Sequence, residues 1–149
     1  MRCRRPRGAH VQAIGRSRGG RTTKLHALVD GQGRAVALTI TPGQLGDAPA
    51  AIGLLSQRPP SRTLAADAAY DSNALRHFLL ERGTTPVIPN NPTRKRHHAF
   101  DRGAYKQRNV IERAFCRLKD FRRVATRYDK LALTYDATVC LAAAVIWWL

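Results

Sequence analysis

Tyr105-Lys106-Gln107-Arg108-Asn109-Val110-Ile111-Glu112, with Lys119 further on, sets polar side chains at offsets 0, 3, 7 and 14. At about 100° per residue, a helix brings Tyr105, Arg108, Glu112 and Lys119 within about 60° of one another. Val110, Ile111, Ala114, Phe115, Leu118 and Phe121 gather on an adjoining apolar arc. The spacing predicts a core-facing helix from about Tyr105 to Phe121, with one carboxylate and two cations along its edge. An isolated Arg–Glu pair at i,i+4 is ordinary on a solvated face, and Arg N-terminal to Glu is the poorer order for it. The stripe continues in register as far as Lys119, which favours a site over a surface pair.

Working outward from that helix, the chain reads as α/β. Thr22 to Val29 and Ala35 to Thr41 are strand-like runs joined by Asp30-Gly31-Gln32-Gly33, a good hairpin turn. Asp47 reads as the N-cap of a helix to about Gln57, which Pro59-Pro60 stops. Thr63 to Ala66 is a short strand; Asp71 or Ser72 caps a helix to about Arg82, with Gly83 at its C-terminal end. Pro86 to Ile88 is another short strand, Asn90 to Arg102 a basic loop, and Leu131 to Trp148 a last helix. Residues Met1 to Arg21 hold many Arg and Gly and no acidic residue, which predicts a mobile basic arm over 1–21 ahead of a domain over 22–149.

Tyr105, two residues, Arg108, three residues, Glu112, six residues, Lys119 resembles the Y-x2-R-x3-E-x6-K motif of bacterial insertion-sequence transposases of the DDE type. Gly15-Arg16-Ser17-Arg18-Gly19-Gly20-Arg21-Thr22-Thr23-Lys24, Thr41-Pro42-Gly43-Gln44, Ala66-Asp67-Ala68-Ala69-Tyr70-Asp71-Ser72 and Phe121 to Tyr128 resemble the same family, in its order. The resemblance covers roughly residues 13 to 149 and leaves out Met1 to Gln12. It implies an RNase H-like core, here truncated at its N-terminal strand, and DNA transposition through Mg²⁺-dependent strand cleavage and transfer, with Mn²⁺ as an alternative ion. Acidic side chains of that family hold two divalent ions, and hard oxygen ligands are what such ions select.

Carried onto this sequence, the resemblance makes Asp67 and Glu112 the catalytic and metal-binding carboxylates. Asp67 falls at the carboxyl end of a predicted strand, where an Asp is otherwise a turn or cap residue. Asp71 fits a capping role better than a metal role. Arg108 and Lys119 are expected to meet DNA phosphates, with Tyr105 ordering the strand end. Arg94, Lys95 and Arg96 of the loop, and Arg16, Arg18 and Arg21 of the arm, extend the DNA-binding surface. In relatives the first acidic residue of the triad precedes the Gly-Arg-Ser-Arg-Gly-Gly segment, and this chain has no Asp or Glu before Asp30. Its triad is incomplete. The expectation is the C-terminal part of a transposase, inactive alone, or a non-catalytic DNA-binding remnant that interferes with a full-length enzyme, or a half completed by an upstream half; a homo-oligomer is a further expectation.

Composition supports a nucleic-acid partner without any name. Lys and Arg number 26 against 10 Asp and Glu, a formal charge of +16 on 149 residues. Such a field concentrates polyanions and makes their binding salt-sensitive, although charge alone names no activity. Cys3, Cys116 and Cys140 are odd in number and widely spaced, matching neither a disulfide framework nor paired zinc ligands, so a reducing cytoplasm is the expected compartment; the transposase resemblance implies that it is bacterial and beside the nucleoid. The apolar run Ala137 to Leu149 has 13 residues, short of the ~20 that a membrane-spanning helix needs. No secretory h-region is present at the N-terminus.

Two motifs are decoys. Gly15 to Thr22 reads G-x-x-x-x-G-R-T, but Arg21 stands where a phosphate loop has Lys, and a strand follows where a helix should. His97-His98 has no Cys or acidic pair at metal-ligand spacing and reads as part of a solvated basic loop.

Overall fold

The two β-forming runs around Asp30-Gly31-Gln32-Gly33 fold as the expected hairpin: β2 (Gly20–Val29) pairs antiparallel with β3 (Ala35–Pro42). Asp30 builds the turn. Its Oδ1 accepts the backbone N–H groups of Gln32 and Arg34, both at 2.9 Å, and its Oδ2 takes Arg34 Nε at 2.7 Å. Gly33, at φ +80°, turns the corner that a side chain would resist. The computed structural model describes residues 12–17 and 19–149, so most of the expected arm, including Arg18 and Cys3, lies outside the described residues. Gly15–Ser17 is already strand: β1 runs antiparallel to β2 with Gly15 opposite Thr22, Arg16 opposite Arg21 and Ser17 opposite Gly20. Regular structure therefore starts ahead of the boundary at Thr22.

Two units make up the described chain. The first gathers the residues up to Leu45 with Arg113–Leu149. Its sheet has the order β1-β2-β3, and its core joins Ala35 to Leu118, Val124, Tyr135, Val139, Ala142 and Ala143, with Leu25, Leu38 and Ile40 of the sheet packed against them. The apolar C-terminal run is thus partly core: one face of the last helix is buried, while Leu133, Leu141 and Val145 on the other are exposed. The Tyr135 hydroxyl satisfies itself by donating to Val124 O at 2.9 Å.

The second unit is Gly46–Glu112. Helix α1 (Asp47–Ser56) leads to β4 (Thr63–Ala65), a 3-10 turn (Ala68–Tyr70), α2 (Asn73–Glu81) and β5 (Thr85–Val87). Strands β4 and β5 pair in parallel, Thr63 with Thr85 and Ala65 with Val87, so β4-α2-β5 is a crossover unit. Leu55, Leu75, Leu79, Val87 and Ile88 are its buried apolar residues. Gly83, at φ +72°, ends α2 as expected. Arg82 reaches back to donate to Leu55 O at 2.6 Å and to Arg58 O, satisfying carbonyls at the end of α1.

The strands form a three-stranded antiparallel sheet and a separate two-stranded parallel pair, so the fold is α/β as expected, a mixed chain with small sheets. Several local expectations need correction. The N-cap of α1 is Gly46, with Asp47 in the first turn, and α2 is capped by Ser72, whose Oγ accepts Leu75 N–H at 3.1 Å. The single helix over Tyr105 to Phe121 is two, α3 (Arg102–Lys106) and α4 (Asn109–Lys119), and a short α5 (Arg122–Ala125) follows beyond it. Between α3 and α4, Arg108 N bonds to Tyr105 O, Val110 N to Gln107 O and Ile111 N to Arg108 O, so three-residue turns replace the helical ladder there. The chain's last helix is α6 (Ala132–Trp147).

Candidate functional site

Strand β4 delivers Asp67 to its site. Ala66 N–H extends the pairing to Val87 O at 3.2 Å, and Asp67 then opens the 3-10 turn with an extended backbone, its carbonyl accepting Tyr70 N–H at 2.9 Å. Its carboxylate makes no capping bond and is 54% exposed. Glu112 lies in the first turn of α4, also in the second unit, and is 64% exposed. Both carboxylates are open to solvent.

Arg108 stands between them. Its Nη2 is 2.9 Å from Glu112 Oε1 and its Nη1 is 3.9 Å from Asp67 Oδ2. The guanidinium lies over the Tyr105 ring at 5.3 Å, and Tyr105 meets Phe100 edge-on at 5.2 Å. Asp101 caps α3 by accepting Ala104 N–H at 3.0 Å, fixing the turn that carries Tyr105. The structure thus brings together Asp67, Tyr105, Arg108 and Glu112. Lys119 is exposed at the end of α4 and belongs to the other unit.

Tyr70 is a neighbour that the sequence reading passed over. Burial first, and then the charges of Asp47 and Asp67, push its hydroxyl up to about 12, so it stays protonated beside the site. Its place three residues after Asp67, within one turn, was the available signal. Asp47, expected as a cap, is the second carboxylate acting on that hydroxyl.

Asp71 closes the 3-10 turn but does not cap α2, and its side chain is not exposed to solvent. Its fully buried carboxylate takes Arg76 Nε at 2.7 Å, Arg94 Nε at 2.6 Å and the Asn91 backbone N–H at 2.7 Å. Burial alone would raise this carboxyl, but the bonds from Arg94, Asn91 and Arg76 outweigh it and hold the carboxyl at about 2. Arg94, expected to face DNA, is therefore an internal strut, bonded also to Asn73 Oδ1 at 2.6 Å. The loop is closed by Asn90, whose amide exchanges bonds with His98 O and His98 N–H at 2.9 and 2.8 Å. Lys95 and Arg96 stay exposed on it, as do Arg16 and Arg21 on the first unit.

Among the described residues no three His, Cys, Asp or Glu side chains converge as a metal cluster. No described helix is long and apolar enough to cross a membrane. A family model described as Transposase DDE domain matches residues 1–147. The chain is similar to a protein of Brucella ovis named as a transposase for insertion sequence element IS6501, 42% identical over 127 residues, which takes in 85% of this chain and 98% of that protein. It is also similar to a protein of Burkholderia cepacia named as a transposase for insertion sequence element IS402, 31% identical over 137 residues, with 85% of this chain and 63% of that protein covered. No solved structure matches the chain.

Proposed function

Because the chain belongs to the DDE transposase domain family, whose work is DNA transposition, we propose that it binds DNA and contributes Asp67 and Glu112 to Mg²⁺-dependent strand cleavage and transfer. The observation that carries this reading is the meeting of two carboxylates, distant in sequence, on the single guanidinium of Arg108. Both are hard oxygen donors and both are exposed, which suits Mg²⁺ or Mn²⁺, ions that take one or two carboxylates and keep waters and phosphate oxygens as their other ligands. When bound, such an ion activates the attacking oxygen or stabilises the leaving one.

The chain's own groups do the rest. Asp67 and Glu112 hold the charge that attracts the ion; Arg108, Lys119, Lys95 and Arg96 neutralise phosphates, and Tyr105 orders the strand end. We read the element order, an antiparallel triple followed by a parallel β-α-β unit and then helices, as an RNase H-like core. A DNA substrate puts this work in the bacterial cytoplasm, beside the nucleoid, with an upstream transposase half or a second copy as partner. The alternative reading, a non-catalytic DNA-binding remnant, is favoured by the convergence of only two carboxylates, with no third His, Cys, Asp or Glu joining them among the described residues.

The test measures Mg²⁺-dependent cleavage and joining of labelled element ends, with and without an added upstream segment that supplies a further Asp. Activity is expected only with that segment, and Asp67→Ala or Glu112→Ala then abolishes it while DNA affinity stays within about twofold, since phosphate-contacting cations carry most of that affinity. Activity that survives Glu112→Ala refutes the assignment. No activity under any condition, with DNA binding intact, establishes the remnant reading.

A further inference from the structure

An open groove of about 1110 Å³ runs beside the β1–β2 hairpin, lined by Arg16, Arg21, Thr22, Gln44 and Arg127 among others and by no acidic residue. We propose that this groove, wholly within the first unit, holds the phosphate backbone of duplex DNA, as a contact surface additional to the Asp67–Glu112 site. The proposal rests on the DNA reading above and adds Thr22, Gln44 and Arg127 to it.

Three observations carry it. Arg16 and Arg21 are direct cross-strand partners, so their side chains share a face, and both are exposed. Like charges in that relation destabilise a hairpin unless an anion lies against them, and neither arginine has a carboxylate partner among the described residues. A phosphate supplies the missing counter-charge and accepts guanidinium N–H bonds in the fork geometry that arginine offers.

The second observation is Arg127 in the groove wall. Its guanidinium donates to Asp129 O at 2.8 Å, Lys130 O at 3.3 Å and Ala13 O at 3.4 Å, and also to Gln12 O and Thr23 Oγ1, while lying over the Tyr135 ring at 4.9 Å. Every hydrogen-bond acceptor is neutral. The carboxylate of Asp129, whose charge acts on Arg127, takes Arg123 at 3.0 Å instead. A rigid positive charge is thereby built into the groove.

The third is the space that two glycines leave. A Cβ on Gly15 would fall 1.3 Å from Gln44 Oε1, and one on Gly43 would fall 2.0 Å from Thr22 Oγ1. Only bare backbone at these two positions leaves room for that amide and that hydroxyl, both of which line the groove with the arginines. The Thr22 hydroxyl donates to Ser17 Oγ at 3.3 Å and accepts from a ligand, while the Gln44 amide offers N–H donors to phosphate oxygens. The groove therefore combines cations with a neutral donor, which a merely basic surface lacks.

Binding of a labelled duplex by the full chain, followed by fluorescence anisotropy from 50 to 200 mM salt, tests it. Replacing Arg16 and Arg21 together by Gln should reduce the slope of log K against log salt by about 1.8, two phosphates' worth. The control exchanges Arg113 and Arg122, exposed residues of the same unit outside the groove, for Gln and should change the slope by much less. Gln44→Ala, which alters neither charge nor backbone, should weaken binding several-fold with the slope kept, and Gly15→Ala should do the same by displacing the amide. Equal slope changes in the groove and control pairs, or full affinity in Gln44→Ala, would overturn the groove. Displacement of the duplex by polyglutamate at equal charge would overturn it in favour of an acidic protein. Salt-dependent binding that is absent in the unaltered chain would instead sink the DNA reading on which it rests.

Discussion

Asp71→Asn is the most discriminating single change in the second unit. The substitution keeps the shape and one acceptor oxygen but leaves Arg76 and Arg94, 4% and 13% exposed, beside a neutral group. Breaking a buried pair from one side typically costs about 3–5 kcal/mol, because the remaining charge is uncompensated. The wild-type carboxyl gives an independent measure. Its fall from 3.8 to about 2 corresponds to about 2.4 kcal/mol of stability. Since the folded value is the depressed one, that stability is fully present above pH 3.8 and is lost as pH falls through about 2. Urea denaturation followed by circular dichroism, for both proteins from pH 6 to pH 2, reads the effect as a difference that cancels the titration of the other carboxylates. The gap between the two should be several kcal/mol at pH 6 and narrow by about 2 kcal/mol at the acid end. The same change should weaken DNA binding although it removes no cation, because Arg94 ties the loop that presents Lys95 and Arg96. A gap that stays constant with pH, or is under about 1 kcal/mol throughout, would refute the buried-hub account.

Other groups around the carboxylate pair give two further expectations. Arg108→Ala removes a positive charge that stands against Glu112 and near Asp67, so Mn²⁺ binding at low salt, measured by electron paramagnetic resonance, should tighten by about 30-fold, the ~2 kcal/mol expected for one charge acting on a divalent ion over about 4 Å in a largely aqueous setting; weaker binding would make Arg108 an organiser of the site instead of a competitor. Tyr70 should stay protonated well beyond pH 10, so Tyr70→Phe should leave the absorbance change between pH 9.5 and 10.5 unaltered and remove part of the change near pH 12; loss of the earlier step would contradict burial beside Asp47 and Asp67.

Much of the local structure was legible because it depends on short-range rules. The Asp30 turn, the stop at Pro59-Pro60, the Gly83 end of α2 and the span of the last helix all follow from side chains acting on their own backbone. The meeting of Asp67 with the Arg108–Glu112 turn was foreshadowed by helical spacing and a strand-end position, although the helix itself breaks at Gln107-Arg108. Periodicity persists across that break because a three-residue turn rotates the chain by nearly as much as a helical one, so the pattern could not reveal it. What stayed hidden was tertiary. Asp71 and Ser72 are equally good caps by type, and only the arrival of Arg76 and Arg94 on the same carboxylate assigns Ser72 to the cap and Asp71 to the interior.

Arginine is by far the commonest charged residue of the chain, and what each one does follows from what faces it. Against a buried carboxylate, as with Arg76 and Arg94 on Asp71, it is structural, since releasing it would strand a charge in the interior. Against neutral carbonyls and a hydroxyl, as with Arg127, it is equally fixed, yet its charge remains open to a ligand. Against exposed carboxylates, as with Arg108, it is exchangeable, because water can replace either partner at small cost. With no carboxylate partner among the described residues, as with Arg16 and Arg21, it repels its neighbour, and a bound anion would relieve that repulsion. Ten acidic residues cannot neutralise 26 cations, so the positions of those ten decide where the surplus lies. Several of them are already engaged, Asp30 by Arg34, Asp71 by two arginines and Asp129 by Arg123. The surplus is left on the hairpin groove and on the Lys95-Arg96 loop, whereas at the Asp67–Glu112 pair two carboxylates outnumber the one guanidinium between them. On the proposed function a polyanion and a divalent ion would reinforce each other at that pair, because a phosphate that drew Arg108 off Glu112 would free the carboxylate for the ion.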